Sequence, residues 1–214
     1  MNAQAMPRRL RGRLAVACMA VALAGCTVLD KPMRPMVYDF GPGTLAQAPA
    51  ESVARPRLVL GEVEAPAALD GTAMLYRLAF ANPQQLMPYA QARWSMPPAQ
   101  LVRQRLQEHL GRQRLVLAPT DAGSAGGSAA VLALRVELDE FSHYFESPQS
   151  SVGLLRLRVT ASSVAAQGER VLGQRSVVVR RPAASADAAG GARALAEAVG
   201  AASDEIEQWI SQLR

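Results

Sequence analysis

The sequence predicts an α+β fold, an antiparallel β-sheet carrying two amphipathic helices, in a single domain. Three observations predict it. Between residues 131 and 179, apolar and polar residues alternate in three successive runs, the period of half-buried strands. Leu101, Val102, Leu106 and Leu110 recur at three- and four-residue spacing, and so do Leu195, Val199, Ala202, Ile206 and Leu213, with Trp209 or Ile210 filling the stripe. Short connections between the three long runs favour a meander, and two helices with one apolar stripe each belong on one sheet face.

The chain opens with a leader. Arg8, Arg9, Arg11 and Arg13 form a cationic head, and Leu14 to Ala24 follow without a charge. That apolar run is about half of the roughly twenty residues a membrane-spanning helix needs, so residues 1–25 read as a secretory signal peptide. The segment Leu23-Ala24-Gly25-Cys26 resembles the lipobox of bacterial lipoproteins. The resemblance implies cleavage before Cys26, diacylglycerol on its thiol and an acyl chain on the new amine. No other cofactor is expected. Two or three acyl chains anchor a protein stably where one does not. Thr27 stands where an aspartate signals inner-membrane retention in enteric bacteria, which points to the outer membrane.

Cleavage removes 25 of 214 residues and leaves 189; it also removes four arginines from a net charge of +5 and leaves +1. The basic balance of the full sequence is thus no argument for nucleic acid. Cys18 leaves with the leader and Cys26 is lipidated, so no disulfide is available and the core alone must hold the fold.

Residues 26–56 hold Pro32, Pro35, Pro42, Pro49 and Pro56 and read as an extended tether. Val37-Tyr38-Asp39-Phe40 interrupts it as a short strand, whose aromatics either anchor the tether to the domain or meet a partner. The folded domain is expected over 57–214. Leu58, Leu60 and Val63 mark a first strand and Met74 to Phe80 a second, paired as a hairpin across the Leu69-Asp70-Gly71 turn. Tyr89 to Trp94 is a third strand. A helix follows from Pro98, tolerated in a first turn, to Leu110, with Gly111 as its stop. Arg103, Arg105 and Arg112 lie off its apolar stripe and read as solvated. Arg114 to Ala118 is a short strand, and the Gly/Ser/Ala-rich 121–130 a flexible loop. In the long strand Val131 to Phe145 the apolar phase flips after Leu138, which predicts a bulge near Asp139-Glu140. Leu155, Leu157 and Val159 mark the next strand, Val171 to Val179 its partner across Gln167-Gly168, and a helix from about Ala192 to Leu213 closes the chain.

No catalytic or metal constellation is visible. The two histidines, His109 and His143, lack zinc-site spacing and a usable cysteine. There is no Gly-x-Ser-x-Gly elbow, and no Gly-Lys-Ser/Thr follows the glycines at 123, 126 and 127. Asp139 and Glu140 are neighbours on a strand and point to opposite faces. The chain is expected not to be an enzyme.

The stretches Val63 to Gly71, Met74-Leu75-Tyr76-Arg77-Leu78 and Tyr89 to Pro98, together with Tyr38-Asp39-Phe40-Gly41, resemble the ABC-type transport auxiliary lipoproteins, the PqiC-like family. The order and spacing of these pieces after the lipobox carry the resemblance. It implies an accessory role beside an MCE-domain protein of an ABC-type lipid transporter, with the lipoprotein docking the transporter's bridge at its own membrane. Tyr76, Arg77, Tyr89, Arg93 and Trp94 are the candidate docking residues, because aromatics and arginines dominate binding hot spots; Tyr76 and Trp94 serve equally well as core. A partner with several equivalent sites would accommodate a homo-oligomer. Two other classes stay open: an outer-membrane assembly scaffold, and a module that holds a lipid between sheet and helix.

Overall fold

The computed structural model describes residues 34–43, 55–121 and 130–213. The segment read as a leader, Cys26, residues 44–54 and the Gly/Ser-rich residues 122–129 lie outside the described residues. Pro35 to Arg214 form one compact unit. Its strands are β1 (Met36–Tyr38), β2 (Arg57–Glu64), β3 (Ala73–Leu78), β4 (Met87–Trp94), β5 (Leu115–Leu117), β6 (Val131–Phe145), β7 (Ser151–Ala165) and β8 (Gly168–Pro182). The helices are α1 (Pro98–Leu110) and α2 (Ala188–Ile210). The folded unit therefore begins some twenty residues before Arg57, because the tether's aromatic island joins the sheet as β1.

The three long strands form the expected antiparallel meander, β6 against β7 and β7 against β8. The β6 register shifts between Leu138 and Glu140, the bulge that the change of apolar phase predicts. The α+β class stands, but the sheet is mixed. β2 runs parallel to β6 beside Leu132–Glu137, and β3 runs parallel to the same strand beside His143–Phe145. The hairpin expected between them does not form. The connection carries a 3-10 turn at Ala67–Leu69 whose Leu69 is buried, so it steps past the bulge in β6 and lets the chain continue in its original direction. β4 pairs antiparallel with β3, while β1 and β5 add parallel edges on β4 and β2.

On one face lies the core. Leu134, Val136, Leu138 and Phe141 of β6 and Leu155, Leu157 and Val159 of β7 are buried there against Leu101, Val102, Leu106 and Leu110 of α1 and Leu195, Val199, Ile206 and Ile210 of α2. α2 begins at Ala188, a turn before the expected start. Asp187 caps it by accepting the Gly190 N–H at 2.8 Å, which offsets the low helix propensity of Gly190 and Gly191. Close approach explains two glycines. A Cβ on Gly153 of β7 would stand 2.6 Å from the backbone of Ala194 and Leu195, and one on Gly191 would stand 2.4 Å from the His143 ring. The other face is laced with charge: Arg158 pairs with Glu137 at 3.1 Å and with Asp139 at 3.2 Å.

Candidate functional site

The five nominated docking residues do not form one surface. Tyr76 and Arg77 are neighbours on β3, and Arg93 and Trp94 neighbours on β4, so each pair is divided between the two faces of the sheet. Trp94 is 2% exposed and belongs to the core. Arg77 pairs with Glu140 through Nε and Nη2, both at 3.0 Å, and donates from Nη1 to the carbonyls of Pro83 and Gln84. It staples the β3–β4 connection to β6, and its donors are occupied. Tyr76 and Tyr89 lie 4.7 Å apart between ring centroids, tilted by 46°, and are half-buried. Arg93 is exposed, opposite Val37 in the β1–β4 register.

What the fold assembles instead is a clamp on the tether. Phe40, just past β1, meets Trp94 edge-on at 5.8 Å and Phe141 at 6.1 Å. The Arg105 guanidinium of α1 sits 5.8 Å over the Phe40 ring and also donates to the Phe40 carbonyl. Such cation–π contact strengthens where water is excluded. Ahead of Phe40, Ser95 donates to the Tyr38 carbonyl at 2.8 Å. Behind it, Asp39 accepts the Gly41 N–H at 2.8 Å in a turn that Gly41 completes at φ 71°, a conformation suited to glycine. Arg105 is thus not solvated as the helical pattern suggested. Its signal was the Tyr38–Gly41 island, whose aromatics needed a cover that the helix's apolar stripe did not supply.

A second cluster lies further along the same face. His143 of β6 is fully buried; its Nδ1 meets the Tyr89 hydroxyl at 2.8 Å and its Nε2 the Ser151 hydroxyl at 2.7 Å. A neutral imidazole has one donor and one acceptor, and this chain uses both. Burial lowers the His143 pKa to about 4, partly opposed by the Asp187 carboxylate at the α2 N-terminus. Burial likewise raises the Tyr89 pKa. Asp187 itself is held below the usual carboxylate range, first by the Gly190 N–H it accepts and then by the Ser185 hydroxyl. Ser151 beside a histidine has the composition of a nucleophile and base, but Ser151 is 5% exposed and the ring's other nitrogen faces a tyrosine, not a carboxylate. Among the described residues no group of His, Cys, Asp and Glu is placed to hold a metal ion. A shallow groove of about 770 Å³ on the open face runs along Glu64, Glu137, Asp139, Arg156 and Arg158, whose charges are largely paired with one another.

A mixed-sheet α+β domain built onto the end of its own tether is the class of protein that fold and site define. The model of the ABC-type transport auxiliary lipoprotein component family matches residues 38–207, from the clamped Tyr38 to the last turn of α2. The chain belongs to that family. Its fold is similar to that of protein XCC0632 from Xanthomonas campestris, a DUF330 protein, at 18% identity and a TM-score of 0.59 over 74% of this chain and 88% of that one. It is also similar to a crystallised uncharacterized protein, at 14% identity and a TM-score of 0.55 over 83% of this chain and 99% of that one. None of the curated proteins compared with it matches. No helix among the described residues is long and apolar enough to cross a membrane.

Proposed function

We propose that this chain is a non-enzymatic lipoprotein, anchored through Cys26 in the outer membrane, that docks the MCE-domain bridge of an ABC-type lipid transporter. The tether clamp carries the reading. The family match begins at Tyr38, and the clamp makes the segment twelve residues beyond the lipidation position an integral part of the domain. A domain so attached stays at the membrane surface, where tethering raises its local concentration and makes a modest docking contact effective. Buried polar groups that resemble catalytic pairs, such as Ser151 and His143, serve packing under α2 in this reading.

The partner-facing side follows from the same attachment. Met36 of β1 follows Cys26 by ten residues in the chain, and β8 is five strand spacings from β1 along the sheet, about 24 Å at ~4.8 Å each. Val171 and Val178 are exposed on β8. Arg93, exposed near β1, is the nominated docking residue that faces outward. The test is photo-crosslinking in intact envelopes from positions 93 and 178 of the lipidated protein, followed by identification of the captured chains. Capture of an MCE-domain protein from position 178 is the expected result. Capture of a β-barrel protein with no MCE component would overturn docking in favour of an assembly scaffold.

A further inference from the structure

β8 closes one side of the sheet by itself: among the described residues it pairs with β7 and with no other strand. It is 15 residues long. Edge strands are usually kept short or guarded by charge, proline or a bulge, because their unpaired N–H and C=O groups invite another strand. A bulge at Leu172 interrupts this edge near its start, where Gly173 faces Ala161 and Val171 already faces Ser162. From Gly173 to Arg181 the register is unbroken. Val177 and Val179 are buried in the core, so this run is held in place and its outer edge is preformed.

The side chains along this run divide by face. Arg175 and Arg181 stand opposite Val159 and Gly153 of β7, on the helix face, while the exposed Val178 stands opposite Arg156, on the open face. Arg175 meets Glu205 of α2 at 3.0 Å, but both side chains are part-exposed and solvent keeps such a pair weak. Arg181 has no ion pair among the described residues. In all, β8 sets Arg170, Arg175, Arg180 and Arg181 against Glu169, a balance of +3. The chain from Cys26 onward carries +1, which leaves −2 for the rest of it. Positive charge is thus concentrated on the free edge. The same charge selects the occupant. An antiparallel pair that joined the Val178 side chains of two copies would set Arg175 of each against Arg181 of the other, and like charges directly opposite destabilise a pair. A strand with carboxylates at those two places gains what a second copy loses.

We propose that the Gly173–Arg181 edge of β8 takes an extended acidic segment of the docking partner as an added strand. Its carboxylates face Arg175 and Arg181 on the helix side, and an apolar side chain faces Val178 on the other. The source of the segment rests on the proposed docking function; the added strand supplies the chemistry by which that partner is held. Main-chain hydrogen bonds give such a strand its affinity, and alternate side chains give it specificity. Arg175 and Arg181 are six residues apart, about 20 Å at ~3.3 Å per residue, so an extended segment reaches both where a compact acidic spot does not.

The probe is a synthetic peptide alternating glutamate and valine, as long as the Gly173–Arg181 run, added to the full lipoprotein in detergent micelles. A lysine–valine peptide of equal length is the comparison. Fluorescence anisotropy reads binding, and hydrogen exchange reads its place. The expected result is that the glutamate peptide binds and slows exchange within Gly173–Arg181, and that N-methylation along one edge of the peptide abolishes both. Arg175→Gln with Arg181→Gln should weaken binding about tenfold, in protein whose α2 and β7 amides exchange as before. Equal binding of the two peptides, or no slowing at β8, would overturn the added strand. Slowing at β8 that grows with protein concentration and without peptide would overturn it in favour of a second copy. Crosslinking from position 178 separates the strand from the docking partner. Capture of an MCE-domain protein there by a chain that ignores the glutamate peptide overturns strand addition alone. Peptide binding without that capture upholds the acidic strand and overturns its assignment to the MCE partner.

Discussion

Two aromatic clusters share one face of β6 and are built on opposite principles. Phe40, Trp94 and Phe141 form an apolar group with an arginine across its top, whereas Tyr76, Tyr89, His143 and Phe145 surround an imidazole whose two nitrogens are both hydrogen-bonded. Phe141 and His143 are two residues apart on the same strand face, so the local geometry is common to both. The first cluster is held by volume and is insensitive to protons. The second is held by a hydrogen-bond chain that only the neutral ring satisfies in this form. One cluster binds the tether to the domain, the other seats the N-terminus of α2, and they should fail in different ways.

The largest effect is expected from Trp94→Ala, which empties a fully packed site between Phe40 and Phe141. Loss of a buried tryptophan costs about 3–5 kcal/mol, with little dependence on pH. Urea unfolding at two pH values measures both parts. A loss under about 1 kcal/mol would place Trp94 outside the core, against its burial.

For the second cluster the proton is the lever. The His143 pKa is about 4 in the folded chain against 6.5 for a free histidine, so folding favours the neutral ring. The unfolded chain binds more protons between these values. The contribution is therefore fully present above pH 6.5 and is lost as pH falls toward 4, by on the order of 3 kcal/mol. His143→Gln keeps hydrogen-bonding groups but cannot titrate, and its stability profile should lack that descent. Parallel profiles for the two proteins between pH 6.5 and 4.5 would show that the ring does not set the pH response.

A smaller effect sharpens the same contrast. Asp187→Ala removes the α2 cap and should cost about 1 kcal/mol near neutral pH. Asp187 is held below its ordinary value, so its own contribution is present above that range and fades as pH falls through it, at more acidic pH than the His143 step. Thermal unfolding of Asp187→Ala and the unmodified chain, compared at neutral pH, reads the difference; an unchanged midpoint would mean that the cap adds nothing to α2.

Much of the architecture was legible in the residues. Period-two alternation located β6, β7 and β8, and the phase change after Leu138 located the bulge, because each strand's own pattern records which side is buried. Pairing partners are not recorded that way. Nothing within Leu58–Val63 or Met74–Leu78 says that both strands run parallel along β6, since parallel direction is set by a partner more than fifty residues away in the chain. Arg105 was misread for a related reason: a helical pattern shows the stripe that faces the sheet, not a tether returning to cover the next face. The division of the docking candidates was legible and overlooked. Tyr76 with Arg77, and Arg93 with Trp94, are adjacent in strands and cannot share a surface, so the alternation that found the strands already separated the residues placed on them.

The central claim is that the tether's aromatic island is part of the folded domain, not a leash attached to it. Hydrogen exchange of the lipidated protein tests this directly, by comparing amides of β1 with those of β7 in the unmodified chain and in Phe40→Ala. The account predicts slow exchange at Val37 and Tyr38 in the unmodified chain, and loss of that protection in the variant while β7 stays protected. Exchange at β1 as fast as in an unfolded peptide, in the unmodified chain, would contradict it.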